Sequence, residues 1–156
     1  MYALMPPMNP RGKEARPRTM EFTDVYKNLK TGYFFVYPYV MGPVSWTQFG
    51  EPTVIAPQDF RSRISDAVLA NLQKFGKEKF DRSRAVRQSP SEQSQFLRQH
   101  LGVHVKRVES GGVVIRPFHR ERGGMVTSEE DTISVSEAEL PDKLPDAIAA
   151  AFNRAK

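Results

Sequence analysis

A stretch in the second half of the chain constrains the fold most, because it matches a β-hairpin and little else. Two runs rich in β-branched residues, VHVKRVE and VVIRPF, flank Ser110, Gly111 and Gly112. Adjacent glycines between two such runs are typical of a tight turn between antiparallel strands. We therefore predict a hairpin over about residues 103–118, with Gly111 and Gly112 as its central turn residues.

Two helices are predicted by apolar residues that recur at helical spacing. The first covers about residues 59–75, with Asp59 at the N-cap position and Gly76 as the residue that ends the helix. The second covers about residues 145–155 and carries apolar side chains one turn apart on one face. Both patterns indicate helices that bury one face.

A capping-box pattern predicts a further helix between these two. Ser89 stands at the N-cap position, Pro90 in the first turn and Glu92 where its side chain can reach back to the cap. Gly102 is the first residue that would end the helix. We therefore predict a helix over about residues 89–101.

The remaining segments supply strands. GYFFVYPYV is predicted as a strand that Pro38 pushes toward a sheet edge or a bulge, whereas FTDVYKN is predicted as an entry turn or short helix. TVIA and TISVSEAEL are predicted as further strands. Runs of adjacent strands favour an α+β fold: a single domain with a mainly antiparallel sheet and helices packed mostly on one face.

Composition limits the chemistry that the chain can perform. A chain of 156 residues without cysteine can bury one core without disulfides, and it has no thiol nucleophile. Residues 1–19, rich in proline and arginine, predict an arm or linker before a domain over residues 20–156. No apolar run has the length of a membrane helix, and no metal or cofactor motif is present. We expect a cytoplasmic protein that needs no cofactor, metal or membrane.

Charge is divided between two segments. Residues 77–122 hold eleven Lys or Arg against five Asp or Glu, whereas residues 128–146, the acidic segment, hold seven acids against one lysine. The formal net charge is +5, of which residues 1–19 supply +3. Such segments suit either a specific interaction site of each sign or an ordinary solvated surface.

The histidines permit a catalytic interpretation. If the hairpin has a two-residue turn, His104 faces His119 across the strands and Arg116 lies nearby, so the pair could act as acid and base on an RNA phosphodiester. The alternative is that these are ordinary strand histidines. Pro117 weakens the ladder beside the pair, and no carboxylate is spaced to orient either ring.

Four segments together are similar to a known family. FTDVYKN, ISDAVLANLQKF, GVVIRPF and ISVSEAELPDKLPDAIAAAFNRA follow one another along most of residues 20–156. In this order they resemble the immunity proteins of bacterial contact-dependent growth inhibition systems. The resemblance implies a cytoplasmic protein that binds the C-terminal toxin domain of a large surface-delivered effector, commonly a nuclease, and performs no chemistry itself. The basic arm and VSWTQFG have no counterpart in it.

Electrostatics indicate where such a protein could bind its toxin. A nuclease must present a basic cleft for phosphates, and carboxylates of an inhibitor can take the places of those phosphates. An aromatic such as Trp46 or Tyr39 is a candidate anchor, although core packing is the competing interpretation for both. The candidate contact residues of the acidic segment, for which a solvated surface is the alternative, are Glu129, Glu130, Asp131, Glu137 and Glu139.

Two other function classes remain open. A small ribonuclease or toxin would use His104, His119 and Arg116, and it would be toxic when expressed alone. A nucleic-acid-binding module would combine the basic arm with an aromatic strand, and its binding would weaken steeply with salt. An immunity protein predicts neither behaviour. It is not an enzyme, it forms a heterodimer with its toxin, and nucleic acid is not expected as a partner.

Overall fold

Nine strands and three helices make up the described part of the chain. The structure is a computed structural model that describes residues 21–41, 46–48, 50–77, 81–82, 89–121 and 124–156. The predicted arm, residues 1–19, lies outside the described residues. In chain order the elements are β1 (Phe22–Asn28), β2 (Phe34–Tyr37), β3 (Tyr39–Met41), β4 (Trp46–Gln48), β5 (Thr53–Ile55), α1 (Phe60–Lys74), α2 (Pro90–Gln99), β6 (His100–Arg107), β7 (Val113–Glu121), β8 (Gly124–Thr127), β9 (Ile133–Val135) and α3 (Leu144–Arg154).

Seven of the strands form one sheet. Its order is β5-β2-β1-β6-β7-β8, and β9 pairs with the other half of β7. Every pairing in the sheet is antiparallel, and β3 and β4 form a separate two-stranded ladder. The predicted α+β fold with a mainly antiparallel sheet is confirmed, and the predicted hairpin is the β6–β7 pair.

The central strand of the sheet is β1, where the prediction of an entry turn or short helix was wrong. Its sequence mixes polar and apolar residues, which obscures the period of two. Thr23 and Val25 nevertheless alternate onto one face, both fully buried, while Asp24 and Tyr26 point to the other face. Pairing on both edges, with β2 and with β6, overrides the weak local preference.

One face of the sheet, called the core face here, is covered by α1 and α3. The Ser65 hydroxyl of α1 donates a hydrogen bond to the Pro141 carbonyl at 2.9 Å, and Arg61 forms an ion pair with Asp146 of α3. The buried core side chains include Val25, Phe34, Val36, Ile55, Ile64, Val68, Leu72, Val103, Val105, Val113, Ile115, Val135, Leu144, Ile148 and Phe152. Two of the three helices therefore share one face, as predicted.

The sequence predicted where α1 begins and ends, but the capping hydrogen bond expected from Asp59 is not formed. Asp59 occupies the N-cap position, but its side chain makes no capping hydrogen bond. Its backbone continues from a 3₁₀ helix, Pro57–Asp59, with φ −99° and ψ 2°, and this is not the extended conformation of a capping residue. Gly76, with φ 67°, follows the helix end as predicted.

The opposite face of the sheet, called the outer face here, is partly covered by α2. The helix begins with the predicted capping box between Ser89 and Glu92, but it ends at Gln99 because His100 already belongs to β6. Gly102, predicted to stop the helix, lies inside β6. The rings of Tyr26 and Phe118 are parallel across it, with centroids 6.1 Å apart. A Cβ at this position would lie 2.6 Å from the Tyr26 ring.

A helix that spans a membrane needs both length and apolar character. None of the helices in the described ranges is long and apolar enough to cross a bilayer.

Replacing Gly102 by Ala should destabilise the protein, because the added methyl group must displace both aromatic rings. We expect the free energy of unfolding to fall by about 1–3 kcal/mol, measured by urea denaturation. Ser134→Ala, at an exposed position of β9, is the control and should change the free energy of unfolding little. Equal unfolding midpoints for the two variants would contradict the close approach of the rings over Gly102.

Candidate functional site

The register of the β6–β7 hairpin separates the two candidate catalytic histidines. His104 pairs with Arg116, so His119 lies three residues further along β7 than the predicted pairing requires. The connection between the strands runs from 108 to 112 instead of being a two-residue turn. Within it the amide of Gly111 donates to the carbonyl of Val108 at 2.9 Å. The predicted pairing of His104 with His119 is wrong.

The two histidines also lie on opposite faces of the sheet. Because side chains alternate along a strand, an odd shift of register moves a residue to the other face. His104 is on the outer face with Arg116, whereas His119 follows the buried alternation of Ile115 and Pro117. A ribonuclease site that uses both rings as acid and base is therefore not formed.

His104 is nevertheless oriented by a carboxylate, contrary to the sequence prediction. Its Nδ1 donates to Asp24 Oδ1 at 2.8 Å, and the Tyr39 hydroxyl donates to Asp24 Oδ2 at 2.5 Å. Asp24 is only 7% exposed. Burial, and then the negative charge of Asp24, raise the pKa of Tyr39, so the phenol is a neutral donor. Asp24 was missed because it lies in β1, far from the hairpin in sequence but directly opposite His104 in the sheet.

His119 has a different acidic neighbour. Its Nε2 lies 3.3 Å from Asp131 Oδ2 and 3.1 Å from the carbonyl oxygen of Arg154. The contact ties the turn after β8 to the end of α3. Asp131 Oδ2 also accepts a hydrogen bond from the Ser128 hydroxyl at 3.1 Å. This arrangement holds a turn together and leaves His119 facing away from the outer face.

His100 connects α2 to the sheet. Its ring stacks on Phe96 with centroids 3.8 Å apart, and its Nδ1 lies 2.7 Å from the Phe96 carbonyl oxygen. Because a carbonyl oxygen can only accept, Nδ1 carries the proton and donates. Nε2 then accepts from Asn28 Nδ2 at 3.3 Å. Burial lowers the pKa of His100. The neutral ring with one donor and one acceptor is therefore the form that fits the fold.

Chemistry at the outer face is limited by these contacts. Arg116 lies across from His104, but its Nε donates to the Thr132 hydroxyl at 3.0 Å. A histidine held by a carboxylate is an arrangement that general bases use, yet the second histidine of the proposed pair is absent from this face. Within the described ranges no group of three His, Cys, Asp or Glu side chains could hold a metal ion.

Two of the five acidic candidates are exposed and have no side-chain hydrogen bond or ion pair with other described residues. Glu129 and Glu130 lie in the turn between β8 and β9, and both are exposed. Among the described residues, neither side chain has a hydrogen bond or an ion pair. Their carboxylates are therefore available to a partner.

The other three acids have structural contacts. Asp131 holds the turn described above. Glu139 accepts hydrogen bonds from the backbone N–H and hydroxyl of Ser136, which lower the pKa of its carboxyl. Glu137 is exposed, but its carboxyl lies against Gly111, where a Cβ would come within 2.6 Å of it. Glu137 and Glu139 lie in a 3₁₀ helix directly after β9.

The two aromatic candidates lie in the small β3–β4 ladder. Tyr39 packs on Phe22 with ring centroids 4.8 Å apart, and its hydroxyl is used by Asp24. Tyr39 therefore stabilises the fold, whether or not it also contacts a partner. Trp46 pairs with Met41 through its backbone, and its side chain lies outside the described part of the structure.

Comparison with known proteins identifies a shared fold. No family model matches the chain, and no curated protein matches it in sequence. A solved structure, "Protein of Unknown Function NMB0488 from Neisseria meningitidis", superposes with a TM-score of 0.64 and 11% identity, over 92% of this chain and 100% of that one. At this identity the similarity concerns the fold alone, so the function must be inferred from the residues.

Removal of the Asp24 carboxylate should destabilise the outer face. Asp24→Ala leaves His104 and Tyr39 without their acceptor, so we expect a loss of about 2–3 kcal/mol in the free energy of unfolding. Tyr39→Phe removes one hydrogen bond and should cost about 1 kcal/mol. Urea denaturation would measure both. Glu130→Ala is the exposed control, and a loss as large as that of Asp24→Ala would contradict the importance of the buried network.

The neutral state of His100 predicts a dependence of stability on pH. Its pKa in the folded state lies below the unfolded value of about 6.5, so the unfolded chain binds a proton first as the pH falls. The stabilisation is complete above that value and declines as the pH falls through it. The difference in unfolding free energy between wild type and His100→Gln should therefore shrink from pH 7.5 to pH 5.5. A constant difference would contradict this, because it would show that the pKa of His100 is the same in the folded and unfolded states.

Proposed function

We propose that this chain is an immunity protein that binds and neutralises the toxin domain of a contact-dependent growth inhibition system. The observation that carries the proposal is the exposure of Glu129 and Glu130, in the acidic segment at the edge of the sheet. Glu129 and Glu130 project at one end of β9, and the 3₁₀ helix with Glu137 and Glu139 follows at the other end. The resemblance of four segments to such immunity proteins supports the same interpretation.

The spacing of these acids suits an extended basic surface. A three-residue strand spans roughly 10 Å, so the two acidic groups lie further apart than the oxygens of a single phosphate. A nuclease cleft that follows several phosphates of a nucleic acid presents positive charge over a comparable length. Glu129 and Glu130 could therefore occupy one phosphate position of the toxin, and Glu139, whose Oε1 is held by Ser136, could use Oε2 at a second.

The proposed mechanism is occlusion without chemistry. The inhibitor and the toxin domain form a heterodimer in the cytoplasm, and the acidic segment covers the residues that would contact nucleic acid. Complementary charge accelerates association, while packed contacts around it slow dissociation. No cofactor takes part, and the buried pair of His104 and Asp24 serves the fold of the inhibitor.

A growth-rescue assay tests this proposal. The toxin domain of a candidate cognate effector, identified by its binding to this protein, is expressed with and without this chain, and growth is measured. Wild type should restore growth. Charge reversal at Glu129→Lys with Glu130→Lys should abolish rescue and raise the Kd of the purified complex at least about tenfold, because two attractive contacts become repulsive.

Matched reversals separate a local effect from a change in net charge. Glu51→Lys with Asp66→Lys alters the same number of exposed acids elsewhere and should leave rescue intact. If both double variants lost rescue equally, the acidic segment would not be the binding surface. If wild type failed to rescue and did not bind the toxin domain, the immunity proposal would be wrong.

Expression of the chain alone distinguishes the immunity proposal from the ribonuclease interpretation. An immunity protein should be harmless by itself, and purified protein should leave RNA intact. Toxicity that disappears in His104→Gln would contradict the proposal and indicate catalysis by that residue.

A further inference from the structure

A cavity lies between α2 and the outer face of the sheet. Its volume is about 630 Å³. Strands β1, β7 and β8 and helix α2 provide its lining residues, which are Asp24, Tyr26, Gln93, Ser94, Leu97, Phe118 and Met125. The cavity lies apart from the acidic segment, and none of these residues belongs to the toxin-binding surface proposed above.

The lining has the charge of a cation site. Asp24 is its acidic member, and no lysine, arginine or histidine is among the described residues that line it. Two basic side chains contact the lining residues: His104 bonds to Asp24, and the Arg120 guanidinium is held by the carbonyl oxygens of Leu97 and His100. Burial raises the pKa of Tyr26, so its phenol stays neutral beside Asp24. Each Asp24 oxygen accepts one hydrogen bond from within the protein, from His104 or from Tyr39. A carboxylate oxygen has two lone pairs, so each retains capacity for a further donor.

The apolar part of the lining suits a cation that is carried on an aliphatic stem. Tyr26 and Phe118 present parallel rings with an interplanar angle of 3°, and the ring faces attract a cation through their quadrupoles. Leu97 and Met125 supply aliphatic and thioether surface beside these rings. Gly102 permits this arrangement, because any larger residue would push the rings apart.

We propose that this cavity binds an organic cation, a guanidinium or ammonium group on an aliphatic stem. The cation donates to the Asp24 carboxylate and lies against the rings of Tyr26 and Phe118, while the stem contacts Leu97 and Met125. Gln93 and Ser94, on the exposed side of α2, hydrogen-bond polar groups at the entrance. Anions are disfavoured by Asp24, and neutral molecules forgo the charged hydrogen bond.

NMR titration of the full chain tests the site without reference to any toxin. Butylguanidinium is the probe, and butylurea is its neutral counterpart of similar shape. The Gly102 amide and the Met125 methyl group should show saturable chemical-shift changes with butylguanidinium. The Kd fitted for butylurea should be at least about fivefold higher. Equal responses to the two probes, or shifts confined to Glu129 and Glu130, would overturn the proposal.

Two substitutions on α2 provide a matched comparison. Gln93→Lys places a positive charge at the cavity wall and should weaken butylguanidinium binding by about tenfold. Gln95→Lys adds the same charge to the same helix, outside the cavity lining, and should weaken binding less than about twofold. Both positions are exposed, so both variants should fold. If both substitutions weakened butylguanidinium binding equally, general charge repulsion would explain the loss. That result would contradict a site at Asp24.

A second ligand distinguishes two sources of the cation. Tighter binding of a blocked Ala-Arg-Ala peptide than of butylguanidinium would assign the site to an arginine side chain of a protein partner. Weaker binding of the peptide would assign it to a free organic cation. Either result supports the cation site, whereas absence of saturable binding of both ligands would overturn it.

Discussion

The pairing of β1 with β6 is the constraint on which the rest of the structure depends. It joins the first strand to one that follows more than seventy residues later, from Phe22 opposite Lys106 to Asn28 opposite His100. The same register places Val25 beside Val103 in the core and Asp24 beside His104 on the outer face. Loop closure over such a distance costs entropy, so the pairing must be supported by many contacts at once. Burial on the core face and the Asp24 network on the outer face supply that support.

The two faces of the sheet have different chemistry. Mainly aliphatic side chains, with Phe34 and Phe152 among them, fill the core face under α1 and α3. Aromatic rings, histidines and the Asp24 carboxylate occupy the outer face under α2. Buried polar groups need hydrogen-bond partners, and His104 and Tyr39 provide one donor for each oxygen of Asp24. Among the described elements, α2 is the one helix on the outer face, which leaves room for the cavity beside Asp24. The acids proposed to contact a toxin lie elsewhere, at the β9 edge, so the two proposed sites can operate independently.

Prediction from sequence succeeded where neighbouring residues decide the structure. The capping box of Ser89 and Glu92 formed as predicted, and the spacing of apolar residues located α1 and α3 to within one residue. It failed where distant contacts compete with local preference. Gly102 resembles a helix stop in sequence but lies in β6, because the rings of Tyr26 and Phe118 need its missing side chain. The hairpin register was wrong because Gly112 packs against the β9 backbone instead of completing a two-residue turn.

The sequence by itself determined the class of fold, the hairpin, the positions of the three helices and the separation of basic from acidic segments, since these follow from periodicity, capping and composition over short distances. Tertiary structure alone decided which histidine meets which carboxylate. The pairing of His104 with Asp24 depends on the register between strands far apart in the chain, and a shift of one residue would turn every side chain of the strand to the other face. Local sequence contains no measure of that register, because the contacts that select it are made only when the whole sheet and its covering helices pack together.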